Sequence, residues 1–151
     1  MDGTQNPLVS AAAIGELLTS IRRIAVLGIK PETHDDQPAH YVPAAMAAAG
    51  YDIIPVPVYY PDVTRILGQP VYRRLVEVPG RIDLVDVFRR PSDLRGHLDD
   101  ILAARPRAVW LQTGIRDDAF AAVLADAGIL VVQDRCLMVE QQRRGTRPAT
   151  A

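Results

Sequence analysis

Five short, largely apolar runs, most of them closed or interrupted by glycine or proline, constrain this chain more than any other feature. They are Ile24–Leu27 closed by Gly28, Tyr51–Val58 interrupted by Pro55 and Pro57, Ile82–Phe88 set between Gly80 and Pro91, Ala108–Gln112 closed by Thr113-Gly114, and Ile129–Val132. A run that is apolar at successive positions suits a strand covered on both faces. Stripes at helical spacing separate most of them. Val42, Ala45, Met46 and Ala49 form one, Leu94, Leu98, Ile101 and Leu102 a second, and Phe120, Val123, Leu124 and Ala127 a third. A further stripe, Ile14, Leu17, Leu18 and Ile21, precedes the first run, with Ser10 placed to cap it. Strands alternating with helices imply parallel βαβ units with right-handed crossovers. The expectation is an α/β protein with a doubly wound, five-stranded parallel sheet and helices on both faces.

At 151 residues the chain has the length of one domain and enough mass for one core. We expect residues 1–8 to be flexible, 9–142 to form the domain and 143–151 to be a flexible tail. Pro38 suits the start of a helix, with Pro43 in its first turn or so and Gly50 as its stop. The turn-rich stretch from Tyr59 to Pro79 has room for one short helix around Arg73–Val76. The 17 basic and 18 acidic residues nearly cancel, so nothing favours a nucleic-acid partner. One cysteine, Cys136, leaves no intramolecular disulfide and no multi-cysteine metal site. No run approaches the roughly 20 apolar residues of a membrane span. The start lacks the pattern of a secretory signal. A cytoplasmic protein is expected.

In doubly wound sheets, ligands bind beyond the carboxyl ends of the strands. That rule selects four tips: Gly28–Pro31, Pro55–Val58, Phe88–Pro91 and Gln112–Gly114. Gly28 lets the backbone turn or approach a ligand closely, and the helix after it would turn its amino end toward a phosphate. The dinucleotide fingerprint is missing, since no second or third glycine follows Gly28 and no carboxylate ends the second run. A P-loop is missing as well. Lys30, Arg89 and Arg90 supply positive charge at the tips. Asp35 and Asp36 oppose an anion there unless they point away or hold Lys30 or Arg22.

Several stretches carry a resemblance to a known family. They are Val26-Leu27-Gly28, Gly50-Tyr51 leading into Ile54-Pro55-Val56, Gly68-Gln69-Pro70-Val71-Tyr72, Val85-Asp86-Val87-Phe88-Arg89-Arg90-Pro91, Val109-Trp110-Leu111-Gln112-Thr113-Gly114 and Asp134-Arg135-Cys136-Leu137. From about Ile21 to Glu140 the chain resembles the small stand-alone CoA-binding proteins, which are similar to the CoA-binding domain of the succinyl-CoA synthetase alpha subunit. The resemblance implies a Rossmann-like fold that binds coenzyme A, or an acyl-CoA, without a reaction of its own. It implies contacts at Gly28, Ile29 and Lys30 for the phosphate end, at Pro55 and Val56, at Phe88, Arg89 and Arg90, and at Gln112 and Gly114. The chain departs from the family pattern after the first glycine, at Ile29-Lys30, and in the second tip, Pro55-Val56-Pro57-Val58.

Other readings accompany this one. Trp110 reads as core, Tyr59 and Tyr60 as an adenine platform or a dimer contact, and Cys136 as a small buried side chain. A nucleophile–base pairing of Cys136 with His40 or His97 has no sequence support beyond the presence of the residues. A subunit or accessory of an acyl-CoA ligase is one alternative function. A regulatory interaction module on a degenerate nucleotide-binding scaffold is another. The amphipathic first helix leaves a homodimer open.

Overall fold

A computed structural model describes residues 10–150; the loose terminus expected over residues 1–8 lies outside them. Helix α1, Ala11–Ser20, is capped by Ser10, whose hydroxyl accepts the Ala13 N–H at 3.2 Å. Strand β1, Arg23–Leu27, leads through the first loop to α2, Pro38–Ala48, and then to β2, Asp52–Val56. Two two-residue strands follow, β3 at Arg65–Ile66 and β4 at Gln69–Pro70. After them come β5 at Leu84–Val87, α3 at Leu98–Ala104, β6 at Ala108–Leu111, α4 at Asp118–Asp126, β7 at Leu130–Val132 and α5 at Leu137–Arg144.

The main sheet has five strands in the order β2-β1-β5-β6-β7, all parallel. Alternate residues of each strand divide the core. Ile24, Val26, Ile53, Leu84, Ala108, Trp110 and Val132 pack with α1, α2 and α5. Ala25, Leu27, Ile54, Val56, Val85, Val87, Val109, Leu111 and Val131 pack with α3 and α4. Both faces are covered, which explains why the runs are apolar at successive positions. Trp110 is core, as expected, and its indole N–H donates to the Arg135 carbonyl at 2.8 Å. No helix among the described residues is long and apolar enough to cross a membrane.

Four local expectations change. The second run is shorter than its apolar extent, since β2 stops at Val56 and leaves Pro57 and Val58 outside the ladder, while Pro55 pairs in register with Val26 because β2 is an edge strand where a missing N–H is tolerated. The segment from Tyr59 to Pro79 holds the β3–β4 hairpin, which sequence reading passed over, and its short helix is a 3-10 turn at Leu75–Glu77. Pro43 is the sixth residue of α2 rather than part of its first turn. The tail expected to be flexible from residue 143 is anchored through residue 149. The Ala149 N–H donates to the Ile21 carbonyl, Arg22 Nε to the Ala149 carbonyl and Gln141 Nε2 to the Thr146 carbonyl.

Candidate functional site

The chain runs outward from β1 to β2 and then returns past β1 to β5, so strand order reverses between β1 and β5. A crevice forms at the carboxyl ends of strands where this happens. At that point the Gly28 N–H donates to the Val56 carbonyl at 2.9 Å, and the Phe88 N–H donates to the Leu27 carbonyl at 2.9 Å. Gly28 has φ +88°, and a Cβ built on it would lie 2.4 Å from the Phe88 carbonyl oxygen. The two tips meet only because residue 28 has no side chain.

The first loop is tied to α2 by a proline. Pro43 has no N–H to give the Ala39 carbonyl one turn earlier, and that carbonyl accepts the Lys30 N–H instead, at 3.1 Å. The buried His40 ring bonds through Nδ1 to the Lys30 carbonyl at 2.9 Å. The Lys30 ammonium donates to Gln37 Oε1. Gln37 is therefore engaged by Lys30, and as the residue before α2 it makes no side-chain cap. The acidic residues leave the tip clear. Glu32 accepts the Leu67 N–H of the hairpin at 2.8 Å, while Asp35 and Asp36 are exposed and line neither pocket.

Arg89 and Arg90 differ sharply. The Arg89 side chain is 13% exposed and the Arg90 side chain 78%. Arg89 donates from Nε to His97 Nε2 at 3.2 Å, approaches Asp93 at 3.5 Å and lies 5.4 Å from the centre of the Tyr59 ring. Accepting through Nε2 makes His97 neutral. Burial, and then the charge of Arg89, hold its pKa below the ordinary value. Arg90 donates to Asp93 at 2.9 Å, and that bond holds the Asp93 carboxyl below its usual range. At the fourth tip, Gln112 is buried, with 4% exposure, and its Oε1 accepts the Leu137 N–H at the start of α5. The Gly114 N–H donates to Asp134 Oδ1 at 2.7 Å.

These tips enclose a cleft of about 640 Å³, within the range of roughly 300–1,000 Å³ common for small-molecule sites. Of the ten residues singled out in the sequence, Lys30, Phe88, Arg89, Arg90, Gln112 and Gly114 line it. Gly28 and Ile29 line a smaller adjoining pocket of about 50 Å³ with Lys30, Phe88 and Arg89, closed by Tyr59 and Tyr60. Ile29 is 1% exposed and belongs to the core, so its side chain offers nothing to a ligand. Pro55 and Val56 line neither pocket. They are buried in β2, and the Val56 carbonyl serves the site only by holding the Gly28 N–H. Sequence reasoning missed the α2 wall, Pro38, Ala39, Tyr41 and Val42, and Cys136 beside it. An amphipathic stripe marks the buried face of a helix, and the first turn that borders a crevice carries no separate signal. The large cleft is lined by three cationic residues and no carboxylate.

One buried group stands out below this cleft. Asp86 precedes Phe88 by two residues on β5, in register with Val26 and Trp110, and is fully buried. Neither of its carboxylate oxygens has a hydrogen-bond partner. Burial raises its pKa well above the usual value. Sequence reading took it only as one letter of a motif.

Comparison with known proteins fits this geometry. Residues 22–142 match the family model described as a CoA binding domain. The chain belongs to this CoA-binding domain family. A relative of similar length is the uncharacterised protein YneT of Bacillus subtilis strain 168, 37% identical over 135 residues, which span 89% of this chain and 95% of that protein. A solved structure from Thermus thermophilus is 40% identical, with a TM-score of 0.82 over 90% of this chain and 99% of that one. The domain also has the fold of part of a dinucleotide-forming acetyl-coenzyme A synthetase from Ca. Korarchaeum cryptofilum, with a TM-score of 0.63 and 18% identity over 78% of this chain and 26% of that one.

Proposed function

We propose that this CoA-binding domain binds coenzyme A or an acyl-CoA non-catalytically, in the cleft between the tips of β1, β5 and β6. The observation that carries the reading is the charge of that cleft. Lys30, Arg89 and Arg90 face it without a single lining carboxylate, in a chain whose formal net charge is only -1. A pyrophosphate and a 3′-phosphate need concentrated positive charge of this kind. The mixed polar and apolar wall, with Phe88, Tyr41, Val42 and Ile115, suits the uncharged length of such a ligand. A binding role without turnover is supported by the lining, which has Cys136 but neither an imidazole nor a carboxylate beside it. His40 is engaged with the Lys30 carbonyl and His97 with Arg89.

Native mass spectrometry of freshly purified protein, followed by CoA titration at low salt, tests the proposal. Arg89→Ala/Arg90→Ala is the control. The expected result is a co-purified or titrated mass near that of CoA that the double variant loses. Binding weaker than about millimolar, roughly 4 kcal/mol of association free energy, would sink the reading. Turnover of an acyl-CoA by the purified protein would replace it with the ligase-type alternative.

A further inference from the structure

We propose that Arg73, which lines neither pocket, is a positioning residue that sets the orientation of Arg89 through the segment 59–63. The inference rests on the binding reading above and adds a residue that lies outside the cleft.

The segment after β2 returns over the first tip in a conformation it would not choose by itself. Tyr60 has φ +64°, in the left-handed region that a bulky residue enters only at a cost. Strain of this kind persists where the surroundings over-determine the backbone. Here one side chain does most of this, beside the Val63 N–H, which donates to the Tyr60 carbonyl at 3.1 Å. The guanidinium of Arg73 donates to the carbonyls of Tyr59 at 3.0 Å, Tyr60 at 2.9 Å, Pro61 at 3.3 Å and Val63 at 2.8 Å. Residues around Arg73 are fixed in turn, since the Tyr72 N–H donates to the Pro55 carbonyl of β2 and the Arg73 N–H to Glu77 Oε1. A rigid fork with five donors can gather several carbonyls at once, and a lysine ammonium cannot reproduce that geometry.

The held segment presents two rings to the site. Tyr59 lies under the Arg89 guanidinium at 5.4 Å, and Tyr60 packs on His34 of the first loop at 5.2 Å. The two tyrosines also meet edge to face, 6.5 Å apart. Arg89 lines both pockets, with Lys30 and Phe88, and needs its plane fixed for two-pronged contact with a phosphate. Three neighbours fix it: His97, Asp93 and Tyr59. The first two come from the stretch just after Arg89 itself. Tyr59 comes from across the site, and its own place depends on Arg73.

The test compares wild type, Arg73→Lys, Arg73→Met and Arg89→Ala in two assays. The first needs no ligand: titration of the His97 ring by NMR. Arg89, Asp93 and Asp100 are the charged groups acting on that ring. Loss of the Arg73 fork frees Arg89, so the His97 midpoint should move up in both Arg73 variants, as it should in Arg89→Ala. An unchanged midpoint in Arg73→Lys overturns the proposal. The second assay is binding of CoA against pantetheine, which lacks the nucleotide phosphates. Arg73→Lys should weaken CoA about tenfold and pantetheine hardly at all, with no further loss when combined with Arg89→Ala. Equal loss of both ligands marks general damage to the fold and also overturns it. If the His97 midpoint moves while wild type ignores CoA, the positioning stands and the CoA reading fails.

Discussion

Residue 28 shows how much a single position can decide. The Cβ of an alanine at Gly28 meets the Phe88 carbonyl at 2.4 Å and forces a side chain into φ +88°. Gly28→Ala should therefore cost more than about 3 kcal/mol of stability, read as a lowered urea midpoint. The glycine was legible in the sequence because a tight turn after an apolar run needs one. Asp86 was not, because a carboxylate inside an apolar strand looks like any other motif letter until its neighbours are known. With both oxygens unpaired in the core, it is held as the neutral acid, its pKa raised by burial. The sign follows from linkage. Protonated Asp86 supports the fold fully below the unfolded value near 3.8, and that support is lost as pH rises toward the raised folded value. Each unit of displacement is worth about 1.4 kcal/mol. The stability advantage of Asp86→Asn over wild type should thus grow between pH 5 and pH 8. Urea unfolding at both values checks this, and equal pH slopes would mean that the carboxyl has found a partner.

Among the elements, α2 departs most from what its sequence suggests. Its apolar stripe was readable, but the use of Pro43 was not, because the consequence falls on another element. The proline leaves the Ala39 carbonyl free, and Lys30 takes it through its own N–H. The β3–β4 hairpin escaped for a different reason, since strands of two residues have no period to detect. A prediction follows for Pro43→Ala. The restored N–H would compete for the Ala39 carbonyl and complete the helix, so stability should hold or rise by up to roughly 1 kcal/mol. Lys30 would lose its backbone anchor, and CoA affinity should fall about threefold to tenfold in isothermal titration. Lys30→Met, which removes only the ammonium, should weaken CoA about tenfold with little change in melting temperature.

At the scale of the molecule, a parallel sheet separates two kinds of work. All five strands are parallel, so their carboxyl ends lie on the side of the cleft and their amino ends form an opposite pole that lines none of it. That pole is where the C-terminal segment docks. Tyr51, just before β2, is 3% exposed; its hydroxyl donates to the Leu18 carbonyl at 2.6 Å and meets Thr146 Oγ1 at 3.2 Å. Ala149 bonds on both sides of its peptide, to the Ile21 carbonyl and to Arg22 Nε. Three of the four expected strand tips border the cleft, and they were legible because a crevice at the carboxyl ends of such a sheet follows from topology. This docking was not, because a polar, proline-containing end carries no apolar stripe and is held by backbone bonds that any residue can make. Removing residues 146–151 strips those bonds and uncovers the buried Tyr51 edge, at a cost of about 2–4 kcal/mol. The cleft lies at the far end of the strands and keeps every lining residue. The truncated protein should therefore melt several degrees lower and bind CoA with unchanged affinity, as long as it is assayed below its transition. A parallel loss of affinity at a temperature where circular dichroism shows it folded would mean that the two poles are coupled through the sheet, and the division of labour argued here would fail.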